Sequence, residues 1–168
     1  MKAIKTMSER GLKWLKSFEN CSLKAYKDVG GVWTIGYGHT EGVIPGMQIS
    51  PADADRLFAQ DVKKIAERCV NALPEQIKLN QFQFDALCFL VFNTGPQSVA
   101  PGTTIRNALM EGDYEKAAQG FLLWVKVRDK KTGKLVFCQG LYNRRKRESA
   151  YFQGRYDQVK ENLEQLHD

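Results

Sequence analysis

This chain has little from which to build a metal centre. It carries 2 histidines and 4 cysteines in 168 residues. Cys21, Cys69, Cys88 and Cys138 are far apart and form no Cys-x-x-Cys pair, so zinc ligation is not expected, and His39 has no second ligand close by. Free thiols are the default reading. Cys88, between Leu87 and Phe89, belongs to a core, Cys21 follows closely on Glu19, and a disulfide would require an oxidising compartment. Long apolar runs are missing too. The longest, Ala86 to Phe92, falls well short of the roughly 18 residues that a membrane-spanning helix needs, so no stable membrane insertion is expected. The opening residues, Met1 to Gly11, lack the apolar stretch of a secretory signal; the expectation is synthesis in the cytoplasm with neither signal peptide nor transmembrane segment. No repeat, low-complexity tract or linker divides the chain. Gly30, Gly31, Gly36 and Gly38 have the wrong spacing for a phosphate-binding loop, and no Ser-His-Asp or Cys-His arrangement recommends itself.

What is present is an ordinary globular composition with a positive bias. Apolar residues make up 43% and charged residues 26%, typical of a soluble protein. The length suits one domain, or two lobes sharing a helix, around a substantial core. A formal net charge of +6 draws polyanions: nucleic acid, anionic lipid or an acidic cell-wall polymer. Charge alone does not choose among them. The densest basic run, Arg144-Arg145-Lys146-Arg147, is simplest as a solvated helix face; the alternative is a contact with phosphate or carboxylate on an anionic polymer. Tyr142, Tyr151 and Phe152 lie near it but are not spaced as a stacking platform for bases.

The pattern of apolar residues predicts a mainly helical α+β protein with one short antiparallel sheet near the N-terminus. Thr6 and Glu9 suit a capping box, and Leu12, Trp14, Leu15 and Phe18 predict a first helix from about Met7 to Glu19. Leu23 to Asp28 and Val32 to Tyr37 flank Val29-Gly30-Gly31 and read as a hairpin; the glycines at 36, 38, 42 and 46 suggest a short irregular third strand or loop. Ser50-Pro51-Ala52-Asp53 is a strong helix start. Leu57, Phe58, Val62, Ile65 and Cys69 continue that helix to about Ala72, long enough to join a small lobe to a helical one. Asn80 begins the next, burying Phe82, Phe84, Leu87, Cys88 and Val91, and Gly95 ends it. Further helices are expected over Thr103 to Glu111, Asp113 to Trp124, Leu141 to Phe152 and Arg155 to Leu166, with Asp129 to Lys134 as a turn.

Glu19, Asp28 and Thr34 stand in the pattern Glu-x8-Asp-x5-Thr. A Glu at the C-terminal end of a helix, beside Phe18, meets both partial burial and the negative end of the helix dipole. Both raise its pKa and suit it to general-acid chemistry; viewed alone, a solvated helix-end Glu accounts for it more simply. Asp28 opens the hairpin turn, where a carboxylate stays more exposed and ionised and could hold or activate a water; an Asx turn accounts for it equally well. Thr34, on the second strand, could turn its hydroxyl to the same opening. Two carboxylates flanking one bond are the equipment of glycosidic hydrolysis.

These residues closely resemble the phage-type lysozymes of glycoside hydrolase family 24. The similarity extends to Gln83-Phe84-Asp85-Ala86-Leu87 with Phe92-Asn93-Thr94-Gly95, and to Gly140-Leu141-x-x-Arg144-Arg145-x-x-Glu148. Three ordered motifs thus cover nearly the whole chain. The resemblance implies a two-lobed lysozyme-like fold in one domain, residues 1–168, with a small β-containing lobe at about 20–55. The helical lobe is implied at about 75–168 together with the N-terminal helix. It implies Glu19 as general acid, with Asp28 positioning or activating water and Thr34 as its hydroxyl partner. The implied reaction is hydrolysis, with inversion, of the β-1,4 bond between N-acetylmuramic acid and N-acetylglucosamine in bacterial peptidoglycan.

The same resemblance implies no cofactor or metal, no nucleic-acid partner, a monomer, and a phage or prophage endolysin. Such a protein reaches the periplasmic wall through a holin-like pore or a secretion route. The chain departs from the family pattern at Asn20, where a Gly is common, and in the insertion-like stretch from Lys130 to Phe137. A lytic transglycosylase, which would use Glu19 alone, and a non-catalytic wall-binding protein are the competing readings.

Overall fold

In a computed structural model of the protein, residues 4–155 are described. The first helix, α1 (Glu9–Ser17), starts later than its apolar stripe predicts. Its cap is Ser8, whose Oγ accepts from Gly11 N at 3.0 Å, rather than Thr6. The cause is tertiary: Asp85, fully buried in α4 (Gln81–Thr94), accepts from Ser8 N at 3.0 Å and from Ser8 Oγ at 2.5 Å. Gln81 and the hydroxyl of Tyr151 also donate to Asp85, both at 2.8 Å, so this buried acid is satisfied by neutral donors. Gly11 is required here, because a Cβ would lie 2.5 Å from Asp85 Oδ2.

The small lobe is built on β1 (Ser22–Lys27) and β2 (Trp33–Gly36), antiparallel, with Lys27 opposite Trp33 and Tyr26 opposite Thr34 before the register shifts toward Ser22 and Gly36. Residues 47–49 run along the outer edge of β1, through Ala25 N to Met47 O at 2.9 Å and Ile49 N to Leu23 O at 3.0 Å. They supply the irregular third strand that the glycine-rich stretch suggests. The connecting helix opens with α2 (Pro51–Asp61), held by the capping box of Ser50 and Asp53. It widens to π geometry over Val62–Glu67 and closes as α3 (Arg68–Asn71). The wider turn alters which residues face inward. Ala54, Phe58, Val62, Ala66 and Val70 are buried in steps of four, while Ile65, an expected core residue, is 43% exposed.

Asn80 and Gln83 form the capping box of α4, and Gly95 ends it at φ +88°. All residues from Phe84 to Val91 are buried, so α4 is covered on every side. Around it lie α5 (Thr104–Glu111), stopped by left-handed Gly112, α6 (Tyr114–Gly120) and α7 (Gln139–Phe152). The helix expected to reach Trp124 instead tightens to a 3₁₀ turn over Phe121–Leu123. Trp14 of α1, Phe89 of α4 and Tyr151 of α7 meet at centroid distances of 4.4–5.5 Å and join three elements of the core. Such ring contacts add about 0.5–1.5 kcal/mol each beyond burial.

A second antiparallel sheet corrects the expectation of one. β3 (Lys126–Arg128) and β4 (Leu135–Phe137) pair on either side of the expected Asp129–Lys134 turn. Their residues are all exposed, so no burial alternation marked them as strands. The helix expected from Arg155 to Leu166 lies outside the described residues except for its first residue. No helix among the described residues is long and apolar enough to cross a membrane.

Candidate active site

Glu19 follows the last turn of α1: Phe18 is the C-cap, and Glu19 N still donates to Lys16 O at 3.1 Å. The side chain is 21% exposed. Burial pushes its pKa above the ordinary carboxylate value, and the guanidinium of Arg144 offsets only part of that rise. Desolvation is therefore the leading cause, as its helix-end position suggests. Arg144 Nη2 stands 3.5 Å from Glu19 Oε1, with its guanidinium 5.2 Å over the Phe18 ring.

Arg144 does not lie on the solvated basic face expected of the run Arg144 to Arg147. Arg144 is mostly covered and also lies 3.5 Å from Glu148. Arg145 is wholly buried: it donates to Glu148 Oε1 at 2.5 Å, to the Trp124 carbonyl at 2.9 Å and to Asn93. Of the four basic residues only Lys146 is exposed. The signal was present in the spacing, since Arg144 and Arg145 stand four and three residues before Glu148, the intervals at which helix side chains meet. The bonds of Arg145 to the Trp124 carbonyl and to Asn93 tie α7 to its neighbours, on the same helix from which Arg144 reaches Glu19. Burial raises the pKa of Glu148 and lowers that of Arg145, each opposed by the other's charge.

Asp28 closes β1. Its Oδ1 accepts from Gly30 N at 2.8 Å and Val32 N at 2.9 Å, the Asx turn foreseen as its alternative role. Thr34 is buried, and its hydroxyl donates to the Val32 carbonyl at 3.0 Å. That carbonyl also accepts from Asp28 N at 2.9 Å. Val32 thus ties Asp28 and Thr34 into one small framework. With its single proton committed to Val32, the Thr34 hydroxyl has only lone pairs to offer, and an ionised Asp28 likewise only accepts. The described residues contain no hydrogen bond or ion pair between this framework and Glu19, so the three residues form two groups carried by different elements.

His39 is a structural histidine. Nδ1 lies 2.9 Å from Asp61 Oδ2, and Nε2 lies 2.8 Å from the Glu41 carbonyl. It fastens the small lobe to the end of α2. No group of three or more potential metal-ligating side chains occurs among the described residues, and the cysteines there are free thiols, with Cys88 buried. A cavity of about 310 Å³ lined by Asn80, Tyr114, Glu115 and Phe152 includes none of Glu19, Asp28 and Thr34.

The mainly helical fold with two small antiparallel sheets is lysozyme-like. Residues 16–148 match the family model described as phage lysozyme. The chain is 38% identical over 149 residues to an endolysin of Acyrthosiphon pisum secondary endosymbiont phage 1, covering 88% of this chain and 97% of that one. Among solved structures it is similar to the muramidase domain of SpmX from Asticaccaulis excentricus. That similarity has a TM-score of 0.78 at 32% identity and covers 89% of this chain and 98% of that one. The chain belongs to the phage lysozyme family, and it is a glycosidase.

Proposed function

We propose that this protein hydrolyses the β-1,4 bond between N-acetylmuramic acid and N-acetylglucosamine in bacterial peptidoglycan, with Glu19 as general acid and Asp28 and Thr34 holding the attacking water. The observation that carries this reading is the pairing of a burial-raised Glu19 with Arg144. Burial favours the protonated acid before reaction. Once the proton has passed to the glycosidic oxygen, Arg144 stabilises the carboxylate left behind, so the same site favours both ends of the transfer.

On the opposite side of the sugar, a water would donate one hydrogen to Asp28 and the other to Thr34 Oγ1, aiming an oxygen lone pair at the anomeric carbon. The C1–O bond to the leaving sugar breaks as the bond from water forms, and the water's proton passes to Asp28. A single displacement of this kind inverts configuration. The two lobes act as one domain and as a monomer, with no metal or cofactor. In its biological setting the protein is a phage or prophage endolysin, delivered to the wall through a holin-like pore or a secretion route.

Product analysis tests the reaction. Digestion of purified peptidoglycan is expected to release fragments with reducing-end N-acetylmuramic acid, initially in the α configuration by proton NMR. An anhydro-muramic end would assign a lytic transglycosylase instead, and an undigested wall that still retains the protein would assign a binding function.

A further inference from the structure

The β3–β4 hairpin reaches from the helical lobe to the small lobe: Lys130, at its tip, donates from Nζ to the Val29 carbonyl at 2.6 Å. That carbonyl belongs to the same peptide unit as Gly30 N, which donates to Asp28 Oδ1 at 2.8 Å. A peptide unit is planar, so fixing its C=O fixes the direction of its N–H. The unit sits before two glycines, Gly30 and Gly31, the second at φ +82°, where the backbone resists rotation least. Rotation of this plane would withdraw the N–H from Asp28.

The tip that delivers the ammonium is itself well built. Asp129 Oδ1 accepts from Lys131 N at 2.8 Å and Thr132 N at 2.9 Å, and Gly133 N donates to the Asp129 carbonyl at 2.8 Å. At its base, Cys138 N donates to the Val125 carbonyl at 2.8 Å, and the Phe137 ring rests 5.7 Å from that of Tyr142 on α7.

We propose that Lys130 is a positioning residue, which holds the Val29–Gly30 peptide plane so that Asp28 keeps the orientation its role in the reaction requires. The inference rests on the reading of Asp28 given above. The ammonium also draws electron density from the amide and strengthens the N–H bond to the carboxylate. Its leverage is geometric, since one exposed hydrogen bond adds little stability.

The test uses soluble, uncross-linked peptidoglycan glycan strands and compares Lys130→Met, Lys130→Arg and Lys131→Met, with Asp28→Asn alongside. Asn at 28 preserves the Asx turn and removes the charge. Lys130→Met is expected to lower kcat by about tenfold, the scale on which modest misplacement acts, with KM and the thermal midpoint unchanged and at low and high salt alike. Lys130→Arg should recover most of the loss, and Lys131→Met should match the parent. A wild-type kcat in Lys130→Met while Asp28→Asn is inactive would overturn the positioning role and leave the catalytic reading standing. A loss confined to KM that fades with salt, or shared by Lys131→Met, would mean general attraction of the polyanion and also overturn it. Full activity of Asp28→Asn would overturn the reading of Asp28 itself, and with it the role given to Lys130.

Discussion

At the scale of residues, the proposed reaction depends on a carboxyl group that is kept protonated and then allowed to ionise. Burial raises the pKa of Glu19 and Arg144 lowers it, with burial the stronger. A general acid works only while protonated, so turnover is expected to be retained below the pKa of Glu19 and lost as pH rises through it. Removing Arg144 removes the opposing influence. Arg144→Gln should therefore move the alkaline limb of the kcat profile to higher pH while lowering the maximum, because the departing carboxylate loses its counter-charge. A limb that stays in place, measured on soluble glycan strands, would mean that Glu19 does not set it.

Much of this geometry was legible in the chain. The helix-end position of Glu19 foretold its burial, and Asp28 before two glycines foretold its turn. The contribution of Arg144 was hidden by composition: four adjacent basic residues read as a solvated face, and only their spacing to Glu148 hinted that two of them turn inward. The Val32 framework could not be read at all, since a backbone carbonyl shared by Asp28 N and the Thr34 hydroxyl leaves no mark on residue identities.

At the scale of elements, local propensity set where helices begin more reliably than which faces they bury. Ser50 and Asn80 cap as their sequences suggest, whereas α1 takes Ser8 because Asp85, distant in sequence, binds it. The connecting helix shows the largest departure. A period of 3.6 would bury Ile65, but the π segment carries the buried face in steps of four to Ala66 and Val70. Paired substitutions check this register by chemical denaturation. Ile65→Lys is expected to change stability by no more than about 0.5 kcal/mol. Ala66→Leu, which forces bulk into a filled site, should cost about 1–3 kcal/mol. The reverse order of effects would restore regular α geometry through this segment. The β3–β4 hairpin was missed for the converse reason: with all six strand residues exposed, only pairing across the turn defines it.

At the scale of the whole molecule, the net charge of +6 meets a substrate that is an anionic polymer, and attraction at a distance should speed encounter with the wall. Exposed charges are screened beyond roughly 8–10 Å at physiological salt. The rate on intact walls is therefore expected to fall steadily with added sodium chloride, while kcat on saturating soluble strands holds. A rate on walls that does not respond to salt would show that surface charge plays no part in finding the substrate. The two-lobed arrangement was foreseen from the long helix that begins at Ser50. What the sequence concealed was how the small lobe is tied down, by His39 with Asp61 of the connecting helix and by Lys130 of the helical lobe with Val29. Both depend on residues brought together by the finished fold.

The most direct test of the central claim is the initial rate of reducing-end release from purified peptidoglycan by the parent protein and by Glu19→Gln, each shown to be folded by its thermal midpoint. Glutamine keeps the shape of the side chain and removes the transferable proton. The rate is expected to fall by about 10²- to 10⁴-fold, the contribution of a positioned general acid. A folded Glu19→Gln variant that releases reducing ends at the parent rate would contradict the assignment of Glu19 as the acid.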